Sequence, residues 1–385
     1  MGVWSTCPEL VEGFRTSNLD VYAESGIMNK HRVAKIRELL KKKKLDCLLI
    51  ISLPNLRYLS GFSGSSGALL ITREDGYFLT DSRYRSQARR EAKGFVVRQC
   101  RKIIEGIAEL SRSAGIKRMG FEASHLTYQD YQRLKELLLK VKLVPVSKEL
   151  DSLRAIKDKG EISLIKKATR IAAQGFLELK DTIQPGSRER NLAIELEHQL
   201  KKRGSGELPF EIIVASGPRG ALPHGVASEK KIRNGEGVVI DFGSRYKGYF
   251  SDETCTLLMG GPTRKQKKIY QIVKAAHDKA IDFIKPGRKS SQIDEVARHY
   301  IHQAGYSHGF GHALGHGVGL AIHEEPLISP DSSTVIEEGM VFTIEPGIYL
   351  EDWGGVRIED MVVVTREGCK VLTQVSKEIG SIIRC

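Results

Sequence analysis

Val238-Val239-Ile240-Asp241-Phe242-Gly243 reads as an apolar strand carrying one acid; the chain then turns and returns through Ser251-Asp252. A second segment, Thr343-Ile344-Glu345-Pro346-Gly347, turns and returns through Arg357-Ile358-Glu359-Asp360. Asp241 and Asp252 are symmetric about a turn near Tyr246-Lys247. Glu345 and Glu359 are symmetric about one near Asp352, where Gly354 and Gly355 permit it. Antiparallel pairing is expected to set the members of each pair opposite one another on one face. Ionised carboxylates inside apolar strands cost too much unless they are neutralised. Two of them about 4 Å apart repel by roughly 4 kcal/mol at an effective dielectric of about 20, so four in one place call for cations or protons. A pair of divalent metal ions meets that need and points to hydrolytic chemistry.

The surrounding sequence repeats. Ile183-Gln184-Pro185-Gly186, a helical stretch and Gly204 recur as Ile284-Lys285-Pro286-Gly287, a helical stretch and Gly305. Both read as a Pro-Gly turn, a helix and a glycine C-cap. Carrying the register onward sets Asp241 against Glu345, Asp252 against Glu359 and His224 near His323. The spacing predicts two αβ halves related by a pseudo-two-fold, each donating ligands to a shared site. Taken singly, each acid has a plain reading as a turn residue or a solvated side chain; the pairing and the repeat outweigh it. His316 lies in Gly315-His316-Gly317-Val318-Gly319, where flanking glycines allow close backbone approach and favour a ligand over a core histidine. His312 and His323 bracket it, and His224 follows Pro223. Histidines beside a metal centre suit hydrogen bonding to substrate. His299, His302 and His308 read as surface residues.

Before this half, residues 28 to about 152 alternate helix and strand signals. They give a helix over 32–40, a strand over 46–52, a turn over 61–67, strands over 68–72 and 77–80, then further helices. That is an α/β domain. Gly61-Phe62-Ser63-Gly64 lacks the Gly-Lys-Ser/Thr ending of a phosphate-binding loop and reads as a tight turn. From residue 153 to 385 the chain forms the duplicated domain. A helix opens it whose buried face is Ile162, Ile165, Ala168, Ile171, Ala172 and Phe176. Residues 1–27 show no sustained periodicity and no signal-peptide pattern, and are expected to be a disordered extension, with Met28 as an alternative start. No apolar run approaches the roughly 18 residues a membrane span needs. The formal charge of +13 is spread along the chain, and its densest run, Lys41 to Lys44, reads as a solvated face with no nucleic-acid motif beside it. Six cysteines show no metal-type spacing, which suits reduced thiols in a cytoplasm.

Residues 241–256, 310–326 and 343–360 closely resemble the proline-specific metallopeptidases of the aminopeptidase P and prolidase family. Ser216-Gly217, Leu222-Pro223-His224 and Arg57-Tyr58-Leu59-Ser60-Gly61-Phe62 add to the match, which runs from about residue 28 to the end. The resemblance implies an α/β N-terminal domain followed by an α+β pita-bread catalytic domain. It implies that Asp241, Asp252, His316, Glu345 and Glu359 are metal ligands, with Asp252 and Glu359 bridging two ions. It also implies that His224, His312 and His323 contact substrate or intermediate and that Arg357 sits behind the ligands. The substrates it implies are short proline-containing peptides, cleaved at the Xaa-Pro bond, by a homodimer. One departure stands out: the family commonly places an arginine where this chain has Cys255, in Thr254-Cys255-Thr256, so an ion pair near the ligands is expected to be lost.

One imidazole and four carboxylates form an oxygen-rich set that suits manganese first, with cobalt or zinc as alternatives. In the resulting scheme Glu345 shuttles the proton and His323 stabilises the oxyanion. Three other readings share the fold: a methionine aminopeptidase, which leaves the N-terminal domain unexplained; a creatinase-like hydrolase, which works without metal; and a non-enzymatic binding protein. The intact set of acids argues against the last two.

Overall fold

The computed structural model describes residues 17–146, 148–379 and 383–384, with side chains over 30–146 and 149–379. The chain divides into two compact units, Met1–Leu150 and Asp151–Cys385.

The first unit carries the helices α1 (Ser17–Lys42), α2 (Leu53–Ser60), α3 (Arg85–Glu91), α4 (Ile103–Ser113) and α5 (Tyr128–Leu137). Its strands are β1 (Cys47–Ile50), β2 (Ala68–Thr72), β3 (Gly76–Thr80), β4 (Val96–Gln99), β5 (Arg118–Glu122) and β6 (Lys142–Val146). They form one mixed sheet in the order β4-β3-β2-β1-β5-β6. Every residue of β1 is buried, as expected of a central strand covered on both faces. Ile107, Ala108 and Leu134 of α4 and α5 pack against Leu49, Leu70 and Met119 of the sheet. The helix expected from residue 32 begins at Ser17 and runs through Met28, so the predicted disordered extension does not hold from residue 17 onward. Residues 1–16 lie outside the described residues. The expectation rested on missing apolar periodicity, which reports burial of a face; residues 17–31 contain no proline to stop a helix.

The division between the units falls inside α6 (Lys148–Ala155), slightly before the expected boundary. The second unit continues with α7 (Lys159–Lys180), α8 (Glu189–Lys202), β7 (Ile213–Ser216), β8 (Gly237–Phe242), β9 (Arg245–Tyr246), β10 (Tyr249–Phe250) and β11 (Glu253–Met259). Then come α9 (Arg264–Phe283), α10 (Ser290–Gln303), β12 (Gly315–Gly317), β13 (Glu324–Ile328), β14 (Val341–Ile344), β15 (Gly347–Leu350), β16 (Gly354–Arg357), β17 (Asp360–Val364), β18 (Cys369–Val371) and β19 (Ile383–Arg384). Asp158 and Glu161 form a reciprocal capping box that starts α7. Its buried face includes Ile165, Ala168, Ile171, Ala172 and Phe176, while Ile162 is half-buried. The Phe176 ring stacks on Phe242 of β8 at 4.8 Å.

The repeat is physical. Gly186 and Gly287, both with positive φ, donate their amides to Ile232 O (2.8 Å) and Ile336 O (2.9 Å). Arg188 bridges to Lys231 and Lys289 to Val335 in the same way. Helices α8 and α10 follow and stop at Gly204 and Gly305, again with positive φ. Each half then lays down its own sheet: β11-β8-β7 in the first, edged by β19 from the far end of the chain, and β13-β12-β14-β17-β18 in the second. Two short hairpins, β9–β10 and β15–β16, extend the strands that carry the acids.

The close approach of β12 to β14 sets a sharp limit on one residue beside His316. A Cβ on Gly315 would lie 1.9 Å from Thr343 O, a backbone atom that cannot step aside. Gly315→Ala is expected to cost about 1–3 kcal/mol through overpacking, read as a lower thermal midpoint together with weaker metal binding. A wild-type midpoint would contradict this packing.

Candidate metal centre

The register of the hairpins decides where the acids go. In the second half, Ile344 faces Asp360 and Gly347 faces Arg357, so positions 345 and 359 fall opposite one another, as predicted. In the first half, Asp241 faces Thr254 and Phe242 faces Glu253. Asp252 therefore lies one step beyond the ladder, diagonal to Asp241 on the same face, and not directly opposite as predicted. The turn that sets this register is Lys247-Gly248, both with positive φ, a primed two-residue turn that fits the twist of the flanking strands.

The two halves meet along β11, β16 and β17. Thr254 Oγ1 donates to Glu359 Oε2 (2.6 Å) and accepts from Arg357 Nε (3.1 Å). Thr256 Oγ1 donates to Arg357 O (2.8 Å) and accepts from Arg357 N (3.1 Å), while Glu359 N donates to Thr254 O (3.2 Å). Across this seam, ligand atoms of Asp252, His316 and Glu359 all come within 4.8 Å of one another. His316 Nε2 is 3.6 Å from Asp252 Oδ2 and 3.5 Å from Glu345 Oε1. Arg357 Nη2 donates to Asp241 Oδ2 (2.6 Å), and Arg357 Nη1 donates to Pro223 O (3.0 Å) beside His224. The His323 ring meets the His316 ring edge-on at 4.2 Å. His224, exposed, acts electrostatically on both Asp241 and His323. All nine residues singled out in the sequence thus gather in one place. His299, His302 and His308 are exposed, as read.

Charge explains what the site can hold. Burial first, then Glu359, Asp241 and Glu345, push the Asp252 carboxyl well above its ordinary range. Burial with Glu345 and Asp241 does the same to Glu359. Glu345 is pushed up to about 8 by burial, with Arg357 opposing. Burial holds His316 and His312 down to about 4, so both imidazoles are neutral near pH 7. Asp241 Oδ1 is buried and has no hydrogen-bond partner. An orphaned carboxylate oxygen, three further acids with a single arginine among them and a neutral imidazole make a donor set that fits divalent cations. Asp241, Asp252, His316, Glu345 and Glu359 can supply it.

Sequence reasoning missed three neighbours. Thr254 and Thr343 sit two residues from Asp252 and Glu345, hence on the same strand face; Thr343 Oγ1 donates to Glu345 Oε1 (3.3 Å). That alternation was available in the sequence. Tyr349 is different: its hydroxyl accepts from Arg357 Nη1 (2.9 Å) and lies 3.1 Å from His312 Nε2, contacts that follow only from the β15–β16 register. The expected loss at Cys255 is also revised. Lys377 Nζ reaches Cys255 Sγ (3.3 Å), Glu253 Oε1 (2.5 Å) and Asp360 Oδ1 (3.6 Å), all buried. A cation from a distant segment stands beside the position where the arginine is missing.

Residues 163–366 match the profile of Metallopeptidase family M24, and residues 32–156 match that of the Creatinase/Prolidase N-terminal domain. The chain belongs to metallopeptidase family M24. A Xaa-Pro dipeptidase of Pyrococcus horikoshii is 40% identical over 92% of this chain and 99% of its own length. A solved Xaa-Pro dipeptidase from Bacillus anthracis superposes with a TM-score of 0.89 at 41% identity, covering 92% of this chain and 99% of that one. An X-Pro aminopeptidase from Thermotoga maritima gives 0.84 at 36% identity, covering 91% and 99%. The M24 domain has the pita-bread fold, and the protein is a divalent-metal-dependent peptide-bond hydrolase. Among the described residues no helix is long and apolar enough to cross a membrane.

Metal binding to such a site must release protons, because acids held above their usual range have to ionise to coordinate. Affinity is expected to rise with pH through about 8, where Glu345 ionises unaided, and to fall as the pH drops. Titration calorimetry at pH 7 in buffers of different ionisation enthalpy reads the released protons; a buffer-independent heat would contradict the electrostatics.

Proposed function

We propose that this M24 enzyme hydrolyses the Xaa-Pro bond of short proline-containing peptides, using two divalent ions, manganese first, as a cytoplasmic homodimer. The observation that carries the reading is the convergence of Asp252, His316 and Glu359 from both chain halves to within 4.8 Å. The dipeptidase and aminopeptidase names of the relatives support the substrate class. An oxygen-rich donor set favours manganese over cobalt or zinc.

Asp252 and Glu359, one from each half, would hold the ions together with Asp241, His316 and Glu345. When bound, such metals activate water at neutral pH and polarise the scissile carbonyl. Glu345 then takes the proton of the attacking water at a carboxylate oxygen and delivers it to the departing proline nitrogen. His323, a neutral N–H donor, faces the carbonyl oxygen as it gains charge, with His224 beside it. Arg357 holds Asp241 and the Tyr349 hydroxyl in place, and that hydroxyl in turn orients His312. A bond to proline has no N–H to offer a strand-like binding groove, which gives a physical reason for a dedicated site.

Two measurements test this. A Xaa-Pro dipeptide compared with a Xaa-Pro-Yaa tripeptide should show cleavage at the Xaa-Pro bond; faster turnover of the dipeptide marks a dipeptidase and of the tripeptide an aminopeptidase. Cleavage of neither, with Met-Ala-Ser turned over instead, would sink the proline reading. Glu359→Gln should lower kcat at least about a hundredfold and reduce bound metal from about two ions per chain. Wild-type turnover in that variant would refute its part in holding the ions.

A further inference from the structure

His312 stands on residues 310–314, the last part of the connection between α10 and β12, and a loop has no ladder of its own to fix it. Three of its backbone groups are nevertheless tied to one ion pair on α10. Asp294, buried, accepts the amide of Leu314 (3.1 Å) and both Arg298 Nε (2.7 Å) and Arg298 Nη2 (2.8 Å). Arg298 donates onward to Phe310 O (3.1 Å) and His312 O (2.9 Å), and its guanidinium stacks over the Phe310 ring at 4.3 Å. The Phe310 ring meets His312 edge-on at 5.1 Å, and His312 Nε2 reaches Tyr349 Oη.

We propose that Asp294 and Arg298 are positioning residues for His312, acting through the backbone on either side of it. The proposal rests on the reading above that His312 faces the substrate. The spacing is i,i+4 on one helix, so the pair would form anyway; what matters is that its remaining donors are spent on the loop. Only a planar fork can serve a carboxylate with two nitrogens and two carbonyls at once, so lysine is a poor substitute. The other half also ties its histidine loop to a buried acid, at a different helix position and with an arginine from the loop itself. Glu189, fully buried at the start of α8, accepts from Ser216 N (2.8 Å), Arg219 Nε (3.0 Å) and Ser228 Oγ (2.7 Å), on both sides of His224. On its outer side Arg298 lines a cavity of about 560 Å³, so shortening it removes little packing.

The test is a double-mutant cycle on the metal-loaded, full-length enzyme with a Xaa-Pro dipeptide. Arg298→Met should lower kcat about tenfold with KM near wild type and, because it strands the buried Asp294 carboxylate, lower the thermal midpoint as well; Arg298→Lys should recover only part of each loss. In a His312→Ala background the same Arg298→Met change should cost less than about twofold. An undiminished loss there, or wild-type kcat in the single variant, overturns the proposal. Amide exchange by mass spectrometry gives a second reading that needs no turnover. Arg298→Met should speed exchange at residues 310–316, and wild-type protection there would equally overturn it. Wild-type enzyme that leaves Xaa-Pro substrates intact would instead defeat the functional reading, while the exchange result would still decide the clamp.

Discussion

Mutual repulsion among buried carboxylates is the constraint around which this molecule is organised. Asp241, Asp252, Glu345 and Glu359 are drawn out of water into one volume with a single arginine for company, and their carboxyls respond by moving up from their ordinary range. A fold selected for stability alone would have no use for such a cluster, since removing charges from water costs several kcal/mol per ion unless partners are supplied. The arrangement makes sense once divalent cations complete it. Stability and catalysis then share one term, because an ion that ionises the acids also ties the two halves together.

The seam between the halves shows how the acids are aimed. Thr254 stands opposite Asp241, donates to Glu359 and accepts from Arg357, so one hydroxyl links a strand of the first half to two residues of the second. Arg357 continues the chain to Asp241, Tyr349 and Pro223, the residue before His224. Short, charge-assisted hydrogen bonds of this kind fix side-chain direction to within a fraction of an ångström, which a metal site requires. The histidines stand around this frame, His316 and His312 neutral through burial and His323 and His224 at the open side.

Much of this was legible in the sequence because duplication leaves two imperfect copies of one pattern. The matching Pro-Gly turns, helices and glycine stops gave the halves, and the alternation along each strand gave the acids their common face. What could not be read was register and long-range partnership. Asp252 sits diagonal to Asp241 and not opposite it, because the turn at Lys247-Gly248 sets the ladder one step away from simple symmetry. Tyr349 and Lys377 have no local signature; their importance comes from where distant segments pack. Lys377 is the clearer lesson, since the absence of arginine at Cys255 suggested a lost charge, and the cation arrives from far along the chain to meet Glu253 and Asp360. The start of α1 at Ser17 was missed for another reason: residues 17–27 carry no sustained apolar periodicity to announce a helix.

Anomalous diffraction from a crystal of the manganese-loaded protein would show whether the two halves together seat metal ions on these acids. Two peaks are predicted, both bounded by Asp252 and Glu359, with His316 and Glu345 on one side and Asp241 on the other. A map without peaks among these side chains, or with manganese held only elsewhere on the protein, would contradict the account.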